Sequence, residues 1–161
     1  MLLCNAEIIK KIKELDERKQ QVLLEERDNC MTTYQTETDK IDTGYDFAVT
    51  RTQIKEIDSE IMRLKHLLNT ANATVKVEEF DLTIGECLVH MAQLNNEKLI
   101  LERMARATAK TRRTVYNGAV EYTVTNYDIG VCKQYLEEIK AKVMKLQLAV
   151  DRINLSNMIE V

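Results

Sequence analysis

The chain has 161 residues, 23 Lys and Arg against 26 Asp and Glu for a net charge of −3, no Pro, no Trp and only four Gly. A β-sandwich or barrel needs a turn breaker every roughly 8–12 residues, which this composition does not supply, whereas long uninterrupted helices suit it. The small net charge does not mark a nucleic-acid or membrane protein. No apolar run approaches the roughly 18–20 residues of a bilayer span.

The opening residues Met1 to Glu7 have neither the basic leader nor the apolar core of a cleaved signal peptide. The expectation is one helical domain over residues 1–161 in the cytoplasm, with no membrane contact.

A first helix is expected over about residues 3–28, with Ile8, Ile9, Ile12, Leu15, Val22, Leu23 and Leu24 as its apolar positions. Residues 29–43 are rich in Thr and acids and read as a loop between antiparallel helices. The second helix, about 43–70, is clearer. Phe47, Thr50, Ile54, Ile57, Ile61, Leu64, Leu68 and Ala71 alternate spacings of three and four, the seam of helices that pack side by side. Asp42 or Thr43 is its expected cap, and Asn69 and Asn72 its expected stop.

Residues 74–81 alternate in polarity and are expected to be briefly extended. Thr83 and Glu86 then have the spacing of a capping box that opens a third helix over about 83–109, carrying Ile84, Leu88, Met91, Leu94, Leu101 and Ala105. The one convincing β signal follows, a hairpin over about 112–125 around Asn117-Gly118. A two-residue turn there sets Val115 opposite Val120 and Arg113 opposite Tyr122. Val115, Val120, Tyr122 and Val124 then share an apolar face. Such a ribbon is marginal alone, so that face is expected to seek a helix or a second copy, and its open edges to pair.

The last helix, about 128–156, starts at Asp128 and repeats the seam with Ile129, Cys132, Leu136, Ile139, Val143, Leu146, Val150 and Ile153. The fold class is therefore mainly α: an elongated antiparallel bundle or coiled coil of about four helices, with one β-hairpin between the third and the fourth.

Chemistry-bearing patterns are sparse. Cys4, Cys30, Cys87 and Cys132 are widely spaced and read as reduced thiols, Cys87 and Cys132 as small core residues. His66 and His90 belong to no metal-binding spacing, and the isolated glycines make no phosphate loop. No catalytic residue, metal or cofactor is expected, and the chain is not expected to be an enzyme.

Two features bear on partners. Lys98, Arg103, Arg106, Lys110, Arg112 and Arg113 stand against Glu102 alone between residues 98 and 113. Arg103, Arg106, Lys110, Arg112 and Arg113 would make a polyanion contact. Cations at a helix C-terminus satisfy its dipole equally well, and the acidic chain favours that reading over nucleic acid. The seam residues Ile54, Ile57, Ile61, Leu64, Leu136, Ile139, Val143, Leu146 and Val150, with the hairpin face, point to a homo-oligomer.

The order of these motifs resembles the septicolysin-like family of small bacterial proteins, for which no function is established. The likeness extends over nearly the whole chain: the acidic first two helices; Asn69-Thr70-Ala71-Asn72; Leu82, Thr83 and Glu86; the basic stretch running into residues 120–125; Asp128; and Asp151-Arg152-Ile153-Asn154. Leu155 stands where members often carry Trp. The resemblance implies a helical protein with a small β element, and it supplies no catalytic residues. The function expected is a homo-oligomeric scaffold or protein-interaction module. A prefoldin-like holdase, from the helix–hairpin–helix layout, and a nucleic-acid binder through residues 98–113 are the alternatives.

Overall fold

The computed structural model describes residues 1–161. The chain is mainly helical, with α1 (Asn5–Asn29), α2 (Phe47–Thr74), α3 (Ile84–Ala105) and α4 (Ile129–Ser156). Six short strands accompany them: β1 (Leu2–Cys4), β2 (Lys76–Val77), β3 (Leu82–Thr83), β4 (Lys110–Thr114), β5 (Val120–Val124) and β6 (Met158–Glu160). They pair antiparallel as β1–β6, β2–β3 and β4–β5, three pairs where the sequence announces one. The chain divides into two compact units, Met1–Thr74 with Ile153–Val161, and Val75–Arg152.

In the first unit α1 and α2 run antiparallel. Ile8 and Ile12 of α1 form a core with Ile57, Ile61 and Leu64 of α2, and Leu3, Leu15, Val22, Leu68, Ile159 and Val161 pack around it. Ile54 is buried on the same α2 row. A long coiled coil is not present. Its reason is visible in α1, where Lys19 occupies the position between Leu15 and Val22 that a continuous seam would give to an apolar side chain. Its ammonium pairs instead with Asp58 at 2.6 Å.

Asp46, rather than Asp42 or Thr43, caps α2, its Oδ1 accepting from Ala48 N–H at 2.8 Å and Val49 N–H at 3.1 Å. Asp42 is committed to the preceding turn, where it accepts from Gly44 N–H at φ +65. Asn69 and Asn72 do not stop α2, which continues to Thr74.

β1 and β6 bring residues from the two ends of the chain together, with Leu3 opposite Ile159. Beneath them Asn5 is wholly buried. Its Nδ2 donates to Asn154 Oδ1 at 3.2 Å, and its Oδ1 accepts from Asn157 Nδ2 at 3.0 Å. A buried amide is tolerated when its donor and acceptor are both answered, and here two asparagines of the C-terminal segment answer them.

The far end of this unit is held by a polar cluster. Glu26 accepts from the Tyr45 hydroxyl at 2.7 Å and pairs with Arg51. The Tyr45 hydrogen bond and the Arg51 guanidinium hold the Glu26 carboxyl below its ordinary value against the opposing effect of desolvation. A carboxylate with a lowered folded pKa adds stability above its unfolded pKa and loses it as pH falls through the folded value. Thermal stability is therefore expected to hold from neutrality to about pH 5 and to fall below it. Tyr45→Phe should flatten that fall in a melting series across the acid range, and an unchanged slope would contradict the assignment.

In the second unit Thr83 and Glu86 form the expected capping box. Thr83 Oγ1 accepts from Glu86 N–H at 3.2 Å, and Thr83 N–H donates to Glu86 Oε2 at 2.7 Å. β2 and β3 frame this start, with the left-handed Asp81 (φ 50) making the turn between them. α3 buries Ile84, Cys87, Met91, Leu94 and Leu101.

Asp128 caps α4 through Gly130 N–H at 2.6 Å and Val131 N–H at 3.1 Å, and the helix buries Cys132, Leu136, Ile139, Leu146, Ala149 and Val150. Cys132 Sγ reaches the Leu101 carbonyl at 3.8 Å, which brings the two helices together. Cys87 and Cys132 are thus core residues, and burial pushes the Cys87 thiol up.

Candidate interaction surface

β4 and β5 form the ribbon, and its register differs by one residue from the expected one. Thr114 lies opposite Val120, Arg113 opposite Glu121, Arg112 opposite Tyr122, Thr111 opposite Thr123 and Lys110 opposite Val124. The cause is the loop. Val115 N–H donates to Ala119 O at 2.9 Å, and Gly118 N–H donates to Val115 O at 2.9 Å, with Gly118 at φ +80. Tyr116, Asn117 and Gly118 therefore make a three-residue loop with Gly118 in the left-handed position. Asn-Gly suits this loop as well as the two-residue turn, and the choice moves every pairing by one.

The slip changes what the face carries. Opposed residues point the same way. Val120, Tyr122 and Val124 do share a face, but their partners on it are Thr114, Arg112 and Lys110. Val115 starts the loop, half-buried. Arg113 turns to the other face and meets Glu121 at 3.6 Å. Lys110 Nζ sits 4.6 Å from the Tyr122 ring centroid, a cation–π contact that ties the strands together.

All ten strand residues are exposed. The base of the ribbon is fixed: Thr125 N–H donates to Ala109 O at 3.1 Å, and the Tyr127 hydroxyl to Met104 O at 2.8 Å, on the last turn of α3. That ladder takes residues 109 and 110 away from helix, which is why α3 stops at Ala105.

Of the other cations in this stretch, Arg103 lies in the last turn of α3 and Arg106 is its C-cap residue, both exposed where the helix dipole favours them. Lys98 is half-buried at a shallow groove lined also by Lys140, Val143, Met144, Gln147 and Leu148. The basic stretch is thus divided between helix end and ribbon.

The helix seams are used inside the chain. Ile54, Ile57, Ile61, Leu64, Leu136, Ile139, Leu146 and Val150 are buried, and Val143 is half-buried in the groove just described. What stays open is a second apolar set. On α3, Leu88, Val89, Leu99 and Ile100 are exposed, Leu99 by 60%. At about 100° per residue Val89 and Ile100 lie opposite the buried set, and Leu88 and Leu99 on its flank. Leu88, assigned to the inner seam by spacing, is 43% exposed at the flank of that seam, because the buried row follows Ile84, Cys87, Met91 and Leu94. On α4, Val131, Tyr135, Met144 and Leu148 are also exposed.

No helix is long and apolar enough to cross a membrane. No group of three or more His, Cys, Asp and Glu is placed to hold a metal ion.

No protein-family model matches the chain. No curated protein matches it either. The fold is similar to the crystal structure of a functionally unknown conserved protein from Corynebacterium diphtheriae, with a TM-score of 0.71 at 14% identity, over 99% of this chain and 100% of the other. At that identity the likeness is one of fold.

Proposed function

We propose that the chain is a non-enzymatic, homo-oligomeric protein-interaction module. One observation carries the reading: α3 leaves four large apolar side chains in solvent beyond its filled inner side. Its inner side is already filled by Ile84, Cys87, Met91, Leu94 and Leu101, yet Leu88, Val89, Leu99 and Ile100 face solvent. Leu88 with Val89 and Leu99 with Ile100 make two exposed apolar pairs about 16 Å apart along α3, and large apolar side chains left in solvent in this way suit an association surface. A second copy is the simplest cover, since homo-oligomers are the common soluble assembly.

Light scattering coupled to gel filtration tests this with Leu99→Glu and Ile100→Glu together. The native chain is expected at a multiple of 18.7 kDa and the double variant at 18.7 kDa with unchanged helix content. A native chain already at the monomer mass, or a variant that keeps the assembled mass, would contradict the reading.

A further inference from the structure

We infer that the exposed ribbon face is a docking site for an acidic, apolar protein segment. The inference deepens the interaction-module reading by naming a partner chemistry, and it uses a different surface from the outer side of α3.

The register divides the face into two columns. Lys110 and Arg112 run along β4, and Val120, Tyr122 and Val124 run along β5. Neighbouring strands are about 4.8 Å apart, so the cationic and apolar columns lie side by side. Val120, Tyr122 and Val124 are 40%, 58% and 53% exposed. The carboxylate of the ribbon, Glu121, is on the reverse face, engaged by Arg113 at 3.6 Å. Neither Lys110 nor Arg112 has a carboxylate within ion-pair distance.

The helix dipole that accounts for Arg103 and Arg106 does not reach strand residues; Lys110 is held over the Tyr122 ring at 4.6 Å with its charge still unpaired, and Arg112 has no such contact. Charges that merely guard a strand edge do not call for three large apolar side chains beside them.

The two columns together choose the occupant. A nucleic-acid duplex would answer the cations, but its bases are already stacked and leave Val120, Tyr122 and Val124 without a counterpart. A second ribbon laid face to face brings no carboxylate to Lys110 and Arg112, because its own Glu121 is on the reverse face. A protein segment with acidic side chains beside apolar ones answers both columns. Arg and Tyr at the centre of such a face are the residue types that interfaces favour.

Fluorescence anisotropy on the full chain tests this with three labelled probes: a peptide alternating Glu-Glu with Val-Tyr, which sets acidic and apolar side chains together on each face of an extended strand, an oligoglutamate of equal charge, and a DNA duplex. The alternating peptide is expected to bind about tenfold or more tighter than the other two. Lys110→Gln with Arg112→Gln should weaken it about tenfold. Tyr122→Ser should weaken it too, and Lys133→Glu with Lys142→Glu on exposed positions of α4 should leave it unchanged. Circular dichroism and particle mass are read on every variant.

Absence of binding by the alternating peptide would overturn the inference. So would equal or tighter binding of oligoglutamate or duplex, which would make the site a polyanion site. A fall in particle mass on the ribbon substitutions would also overturn it by giving the face to a second copy. A monomeric chain that still binds the peptide would remove the oligomer reading alone.

Discussion

Leu64→Ala is expected to destabilise the chain by about 2–5 kcal/mol, the range for emptying a large buried aliphatic site. Leu64 has no solvent exposure and belongs to the core of Ile8, Ile12, Ile57 and Ile61. Both walls of that core are long helices with little freedom to collapse onto a cavity, so the cost should lie well inside the range. In a chain of this length each kcal/mol moves the midpoint by about 2–4 °C. A chemical-denaturation midpoint lowered with unchanged slope would be the signature. A loss below about 1 kcal/mol would mean that the α1–α2 core is not packed as described.

Asn5→Leu should be nearly as costly, for an opposite reason. The substitution keeps the branching and the number of heavy atoms and adds apolar surface, so transfer arguments alone predict a gain. The structure predicts a loss of about 1–3 kcal/mol for each amide left without its partner. Asn5 answers both Asn154 at 3.2 Å and Asn157 at 3.0 Å. Its removal cuts the side-chain tie between these segments and leaves the backbone pairing of β1 with β6 to hold them. Equilibrium unfolding of Asn5→Leu, Asn154→Leu and the pair gives the direct check. The two changes together should cost less than their sum, because the second removes a group already unsatisfied. Strict additivity would contradict the network.

Helix periodicity is the part of this fold that a sequence displays best. α2 and α4 carry apolar residues at alternating three and four spacings, and the structure buries Ile57, Ile61, Leu64, Leu136, Ile139 and Leu146 on those rows. The Thr83–Glu86 box and the Asp128 cap are legible for the same reason, since a cap is a contact within one turn. Lys19 breaks a seam that spacing alone would continue.

The β elements are legible only where the signal is local. Asn117-Gly118 announces a hairpin but fits two loop lengths, and the one adopted slips the register and sets Arg112 and Lys110 beside Tyr122 and Val124. β1 and β6 are three residues each and pair across nearly the whole chain, so no local pattern could announce them. The same distance hides the tie of Asn5 to Asn154 and Asn157. A buried asparagine looks like any helix-end asparagine until its partner is known.

The outer side of α3 escapes a period count for another reason. Two apolar rows on one helix blur each other, and Leu88 reads as part of the inner row. The candidate surface therefore rests on exposure, which the sequence does not contain.

Sedimentation equilibrium of the unmodified chain over a wide concentration range bears most directly on the central claim that the outer side of α3 is built to be covered. The account predicts a mass that rises with concentration to a whole multiple of 18.7 kDa. A single species of 18.7 kDa at every concentration would contradict it.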